Sequence, residues 1–522
     1  MGSKNDVVLN QLLLVNGVIK RLIESQGIKP ELDPNEKPDF PSESYSKVVS
    51  MLRVREKLHG RLTKQQLKQS FDRDTELLIG NFHYYEKQYA KAISSYDRSL
   101  KVDPHEIGAL VNKGMATSKL GNHKEAISLF DKVLEIEPEY FEALHCKGDS
   151  LALLSKHDEA LSCYDQTLQI DPNYFDGLYK KGLALLHLQK YSEAITHFER
   201  ALDIEPNHTE ALVSMGMATS KLGNHADSLQ YFDRALESDA RIFEALYNKG
   251  LSLVMMGRYD YALECFDKTL EIDPHHADVL FYKGFCLANQ EKHQLAISYY
   301  DKALEFNPQH VLAIHEKGYS LQSTGKKAEA LECFDAVLGI DSTFEDAILC
   351  KAEILLSLNQ YGQAIEHFDR VLKESPDNVD SLYGKAVSLS GLGMHEKALS
   401  VFDNVLEVSP NHFDAICNKA RTLQLLDKHD EAVKFFGMAL AINPKHHDSI
   451  LNKAHSLLQL SRHQEAISFY DRALAINAHH FDALLGKATS LGKLSRHAES
   501  LTYLDRALAI RPDDEEAHYN KG

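Results

Sequence analysis

Thirty-four residues is the distance over which this chain repeats itself, and no other feature restricts its fold so severely. The segment GMATSKLGNH stands at 114–123 and again, unchanged, at 216–225, an offset of 102 residues, or three periods of 34. The hexapeptide DRALAI recurs at 471–476 and 505–510, one period apart. Phasing on this period divides Arg73 to Asp514 into thirteen repeats with no insertion or deletion. A fixed period of this length marks a unit that cannot hide its apolar side alone and must stack on its neighbours.

The columns of the repeat say what the unit is. Position eight is glycine in the first eight repeats (Gly80 to Gly318) and alanine in the last five (Ala352 to Ala488). Position twenty is alanine in eleven repeats and serine in two, Ser228 and Ser500. Small residues at both places let two helices approach closely. Position twenty-four is aromatic in twelve of thirteen repeats, with Leu504 the exception, and a leucine follows four residues later in every one. An aromatic and a leucine at i and i+4 lie on one helix face. Proline at position thirty-two closes ten repeats, where it stops a helix. Each repeat therefore reads as helix, short turn, helix. Helices of about 14 residues are marginal alone and depend on packing.

These columns resemble those of the tetratricopeptide-repeat (TPR) family: small at eight, alanine at twenty, aromatic at twenty-four, proline at thirty-two. The resemblance spans residues 73–514, 442 of the 522. It implies an all-α fold, a right-handed α-solenoid of thirteen 34-residue helix-turn-helix repeats. The sequence departs from the family pattern in lacking a tryptophan at position four and in placing lysine after position six in most repeats, as in Lys113, Lys249 and Lys419. In that family the first helices line a concave face, and positions two, five, six, nine, twelve and thirteen point into it. The asparagines at position six here, Asn112, Asn248, Asn418, Asn452 and Asn520, are similar to those in the TPR arm of O-GlcNAc transferases. There such amides, which donate and accept together, hold an extended peptide. The series is interrupted by Cys146, Lys180, Ser214, Tyr282 and Glu316. A chaperone-tail clamp is excluded, because Leu77 and Glu142 stand where it needs cations.

Composition removes other classes of function. The formal net charge of -18 repels phosphate backbones and anionic lipid, so no nucleic-acid partner is expected. The seven cysteines form no C-x-x-C pair and are odd in number, which suits core thiols in a reducing, cytoplasmic setting rather than a disulfide framework. No stretch is apolar for the ~20 residues a membrane span needs. Three His-Glu dipeptides, at His105, His315 and His395, are followed four residues after the histidine by Ala109, Tyr319 and Leu399, so no zincin motif forms. The Gly-Lys pairs lack the rest of a phosphate loop, and no G-x-S-x-G occurs. Eight histidines occupy position seventeen, interchanging with tyrosine, which indicates packing at the start of the second helix. The pairs His275-His276, His446-His447 and His479-His480 fall at repeat junctions and read as solvated turns. No catalytic residue, metal site or cofactor is expected.

The ends differ from the repeats. Residues 1–72 are expected to form an N-terminal helical cap. It consists of an amphipathic helix through Val8, Leu12, Val15, Ile19 and Leu22, a proline-rich linker at 28–43, a second helix from Val48 to Leu58, and a third leading into the first repeat. Residues 515–522 begin a fourteenth repeat and stop within its first helix, which predicts a fragment of a longer protein.

The chain is therefore expected to be a non-catalytic scaffold or adaptor that binds a protein or peptide segment in the concave groove. The acidic residues at position two, such as Glu244 and Asp482, favour a basic partner. The contact residues expected are Asn112, Tyr247, Asn248, Leu251, Met255, Phe281, Tyr282, Phe285, Tyr319, Asn418 and Asn452, since aromatic anchors dominate many interfaces. The alternatives are the substrate-recruiting arm of a larger enzyme whose catalytic domain follows residue 522, and self-association through uncapped ends.

Overall fold

The computed structural model describes residues 4–29, 42–61 and 72–522. All regular structure among them is helical. Helix Lys4–Glu24 and helix Ser42–His59 precede thirteen helix pairs, from Arg73–Tyr85 with Tyr89–Val102 to Phe481–Lys493 with His497–Ile510, and a short helix Glu515–Lys521 follows. In each pair the first helix has 13 residues and the second 14, as the period requires. Most of the expected linker at 28–43, and the third helix expected before the first repeat, lie outside the described residues.

The chain divides into two compact bodies, Met1–Pro274 and His275–Gly522, so repeats 1–6 belong to the first and 7–13 to the second. Within each body a first helix packs on its own second helix and on the second helix of the preceding repeat. The small residue at position eight explains how close this packing is. A Cβ on Gly114 would stand 2.6 Å from the Phe130 ring, and one on Gly250 would stand 2.5 Å from Phe266. The aromatic rings at position twenty-four are accordingly sealed: Phe130, Phe198, Phe334 and Phe402 are all 0 % exposed. Burying such a ring contributes about 2–3 kcal/mol.

The turn between the helices has one conformation throughout. Position fifteen has positive φ in all thirteen repeats, from 55° at Asp427 to 95° at Gly223. This left-handed residue ends the first helix in the manner of a Schellman cap, with Asn122 N–H donating to Thr117 O at 3.1 Å. Glycine supplies it in five repeats; eight others hold a side chain there, among them Lys87, Ser155 and Gln189.

The position-seven lysines also have a structural task. Most pair with the aspartate at position twenty-five of the preceding repeat, as in Lys113–Asp97 at 2.7 Å, Lys147–Asp131 at 2.6 Å and Lys385–Asp369 at 2.6 Å. Such rungs recur in both bodies, Lys181–Asp165 and Lys249–Asp233 in the first, Lys317–Asp301 and Lys487–Asp471 in the second. Half-exposed pairs of this kind contribute only about 0–1 kcal/mol each, so they fix the register between repeats more than they stabilise it. Two rungs are incomplete by sequence: Met215 replaces the lysine opposite Glu199, and Gly437 replaces the aspartate opposite Lys453.

At the N-terminus, Ile19, Ile23, Ile28 and Val48 pack on Leu78, Ile79 and Phe82 of the first repeat. A buried ion triad joins the same elements. Glu76, 0 % exposed, receives Arg98 Nε at 2.8 Å and Arg55 Nη2. Arg55 Nε also donates to Asn16 Oδ1 at 2.8 Å. Such a triad is tolerated in the interior because the two guanidiniums share one buried carboxylate and Arg55 is also hydrogen-bonded to Asn16.

Candidate partner-binding face

Each first helix leaves part of one face unpacked, and the exposure of individual positions decides what a partner can touch. Among the described residues of the thirteen repeats, the three most exposed large apolar side chains are Met255 (69 %), Leu153 (66 %) and Leu425 (64 %). All three stand at position thirteen, in the last turn of a first helix. Tyr319, at position nine, is 49 % exposed. Tyr247, Leu251 and Met255 follow one another at i, i+4 and i+8 along helix Phe243–Met255, the first two half-buried. Tyr282 and Phe285 are half-buried on helix Ala277–Asn289 in the second body.

Other expected contact residues have different positions. Phe281 is 5 % exposed and packs against Tyr300 and His310, with ring centroids 6.0 and 4.9 Å away; it belongs to the core rather than to a binding face. Asn112 is 3 % exposed and donates to Asn81 Oδ1 at 2.9 Å, while Asn81 donates to Lys29 O at 2.7 Å and accepts from the Tyr96 hydroxyl at 2.9 Å. Its amide therefore serves a buried network instead of a partner. Asn248, Asn418 and Asn452 each turn the side-chain N–H back to the carbonyl four residues earlier, on Glu244, Asp414 and Asp448, at 2.7, 3.0 and 2.9 Å. Their carbonyl oxygens point the other way. Asn418 donates in addition to the Tyr383 hydroxyl at 2.9 Å.

The junction histidines require a correction too. His276, His446 and His480 are not solvated turn residues: each caps the following first helix, its Nδ1 accepting the N–H of Val279, Ser449 or Ala483. His208, His310 and His412 do the same. An imidazole lone pair thus replaces the usual hydroxyl or carboxylate cap. Burial pushes the thiols of Cys146, Cys286 and Cys350 up to about 12.

Two cavities on the first-helix side went unseen in the sequence. One, of about 350 Å³ in the first body, is bordered by Tyr84, Cys146, Leu153, Tyr174, Asp176 and Lys180. The other, of about 620 Å³ in the second body, is bordered by His455, Tyr470, Asp482, Gly486 and Glu516. The signal that would have revealed the second is glycine at position six, since a side chain there stands over the aromatic ring of the preceding repeat. A Cβ on Gly384 would collide with Phe368, and one on Gly486 with Tyr470.

Comparison with known proteins agrees with this architecture. Tetratricopeptide-repeat models match residues 77–140, 351–412, 413–446 and 457–521. The model for the N-terminal ARM repeat of tetratricopeptide repeat protein 21 matches 178–365, and that for subunit 3 of the anaphase-promoting complex, cyclosome, matches 119–201. Among curated proteins, no relative matches the chain. Among solved structures, it is similar to YrrB, described as a TPR protein with an unusual peptide-binding site. The identity is 30 %, over 36 % of this chain and 97 % of that one, with a TM-score of 0.33. It is similar to the APC/C hetero-tetramer Cut9-Hcn1 at 16 % identity, over 86 % and 96 % of the two chains, with a TM-score of 0.36. A tetratricopeptide repeat protein from Parabacteroides merdae is 17 % identical over 48 % of this chain and 98 % of its own, with a TM-score of 0.39.

Proposed function

The chain belongs to the tetratricopeptide-repeat family, and from that premise we propose that it is a protein-interaction scaffold that receives an extended segment of a partner on the face built by its first helices. The observation that carries this reading is the concentration of the greatest apolar exposure at one repeat position, at Leu153, Met255 and Leu425. The polar surroundings favour a basic segment. Glu210, Asp278, Asp448 and Asp482 at position two are 72, 54, 79 and 63 % exposed in their side chains, and the whole chain carries -18. Opposite charge steers such a partner in and selects against acidic ones. Residues 1–72 act in this reading as a cap, because Ile19, Ile23 and Val48 cover an apolar face of the first repeat. No helix among the described residues is long and apolar enough to cross a membrane.

The test is selection of binding peptides from a random library on the full chain, followed by Leu153→Asp, Met255→Asp and Leu425→Asp together. Capture of the selected peptides is expected to fall at least about tenfold, the effect of losing more than ~1.4 kcal/mol. The melting temperature should stay within a few degrees, since these side chains are exposed. Peptides that bind the triple variant as well as the parent would overturn the assignment of this face.

A further inference from the structure

Two position-twenty-four tyrosines of the second body, Tyr300 and Tyr470, have hydroxyls with no hydrogen-bond partner among the described residues, and Tyr470 borders a cavity. Tyr470 is 1 % exposed, yet among the described residues nothing hydrogen-bonds its hydroxyl. In repeats 1 and 3 the equivalent tyrosines donate to position nine of their own repeat, Tyr96 to Asn81 at 2.9 Å and Tyr164 to Asp149 at 2.8 Å. In repeat 12 position nine is His455, which does not take up that bond. Position six of the next repeat is Gly486, placed so that any Cβ would strike the Tyr470 oxygen.

The cavity above it, about 620 Å³, has a definite chemistry. Leu458 and Leu485 give apolar walls; His455, His463, Asp482 and Glu516 bring polar atoms to its border. The His463 Nδ1 is buried and has no hydrogen-bond partner. Burial first, and then the Asp482 and Glu516 carboxylates, push the Tyr470 hydroxyl upward, so it stays protonated and offers an oxygen lone pair. Burial first, with His429 second, pushes His455 down against the pull of Glu516 and Asp482; it is neutral near pH 7. Arg511 Nη1 stands 4.0 Å from Asp482, and exposed Lys493 lies at the rim. Glu516 forms no ion pair among the described residues. The site is rich in acceptors and bounded by flat apolar surface, with one carboxylate uncommitted.

We propose that this cavity is a specificity pocket for the guanidinium group of an arginine side chain carried by the partner segment. The inference rests on the proposed use of the first-helix face. A guanidinium is planar, permanently charged and carries five N–H donors. It meets the Tyr470 oxygen, the Glu516 carboxylate and a histidine nitrogen at once, and its flat faces suit the leucine walls. A lysine ammonium brings only a compact point charge and leaves acceptors unfilled.

The experiment uses the full chain and the peptides selected on it. Those peptides are expected to contain an arginine whose replacement by citrulline, which keeps the shape and removes the charge, weakens binding about tenfold or more. Replacement by lysine should fall between. Glu516→Gln is expected to weaken the arginine peptide at least about threefold and to leave the citrulline peptide nearly unchanged, whereas Tyr470→Phe should weaken both, because citrulline keeps N–H donors for the phenol oxygen. These two variants alter an exposed carboxylate and one hydroxyl, so both should fold. Peptides that bind the first-helix face with no dependence on arginine would overturn the pocket and leave the groove reading standing. An arginine dependence unaltered by both Glu516→Gln and Tyr470→Phe would place the guanidinium elsewhere and also overturn it. Failure of any peptide to bind would remove the groove reading and this inference with it.

Discussion

Repeats 1 and 12 carry tyrosine at the same position, buried beneath the same pair of helices, and supply it with opposite surroundings. In repeat 1 the Tyr96 hydroxyl meets Asn81, which is itself tied to Asn112 and to the Lys29 carbonyl. The Arg55–Glu76–Arg98 triad ties this helix pair to helix Ser42–His59. In repeat 12 the Tyr470 hydroxyl faces a cavity, and Lys453 has no carboxylate at its rung because position twenty-five of repeat 11 is Gly437. The repeated columns thus settle where a ring is buried, whereas the variable positions six and nine settle whether its polar atom is used. Repeat 1 spends those positions on holding its neighbour, and repeat 12 leaves them open.

The largest effect that tests this contrast is expected at Glu76. Glu76→Ala strips the carboxylate from between two arginines, of which Arg55 is 4 % exposed, and breaking a buried ion network in this way costs about 3–5 kcal/mol. Because repeat arrays unfold in parts, the loss should appear as faster amide exchange in residues 42–59 and 73–102, with residues 447–510 unchanged. Unaltered exchange at 42–59 would mean that apolar contacts alone hold the N-terminal helices.

Acid should separate the same two regions by a smaller margin. Burial first, then Lys91 and Arg98, lower His83 to about 4, and burial with Arg55 and Arg98 lowers His59 to about 4. In the unfolded chain both imidazoles titrate near 6.5. The unfolded state therefore binds more protons between these values, so the stability they contribute is complete above about pH 6.5 and is lost as pH falls toward 4. At pH 5 His83 alone accounts for a loss of about 2 kcal/mol at the first repeat, and the more exposed His59 for less. Repeat 12 should respond less, because Glu516 and Asp482 oppose the lowering of His455. Amide exchange compared at pH 7 and pH 5, corrected for intrinsic rates, reads both regions together; equal loss at each would erase the distinction.

What the sequence made legible follows the same division. The helix pairs, their lengths, the sealed rings at position twenty-four and the small residues beneath them are all consequences of apolar periodicity, which a single chain displays thirteen times over. The site was harder to read. Phe281 and Asn112 were expected on the surface and are buried, because position five faces the next repeat's cap at His310 and position six covers the ring of the preceding repeat. The Lys–Asp rungs join residues sixteen apart, a spacing that belongs to neither helix nor strand and emerges only when repeats stack. The histidine caps escaped because an imidazole at a junction looks like any polar turn residue until its Nδ1 is placed beside a helix N-terminus.

A pair of conservative changes sharpens the contrast further. Tyr96→Phe removes a satisfied hydroxyl and leaves the Asn81 Oδ1 one donor short, at a cost of about 1–1.5 kcal/mol. Tyr470→Phe removes a hydroxyl that bonds to nothing and should change stability by less than about 0.5 kcal/mol in the free chain. Urea unfolding monitored by local exchange distinguishes them. A cost at Tyr470 equal to that at Tyr96 would show that water satisfies the phenol, and the cavity would then be a hydrated space instead of a vacant site.

The smallest expected effect has the opposite sign. Gly437 lies within helix His429–Ile442, and a Cβ built on it would stand 3.1 Å from Lys453 Nζ, which at present lies over the Phe469 ring at 4.8 Å. Gly437→Asp replaces a helix-interior glycine, which recovers some backbone entropy, and restores the carboxylate found at the other rungs. The ammonium is at the distance where a restored side chain must displace it slightly, and its flexible stem permits that. The two contributions together should stabilise repeats 11 and 12 by about 0.5–1 kcal/mol. Burial, Arg472 and Arg462 now lower the Lys453 ammonium, so the gain should be accompanied by an upward shift in its titration, measurable by NMR. Stabilisation without that shift would assign the gain to the backbone alone, and the missing rung would have no part in what makes repeat 12 incomplete.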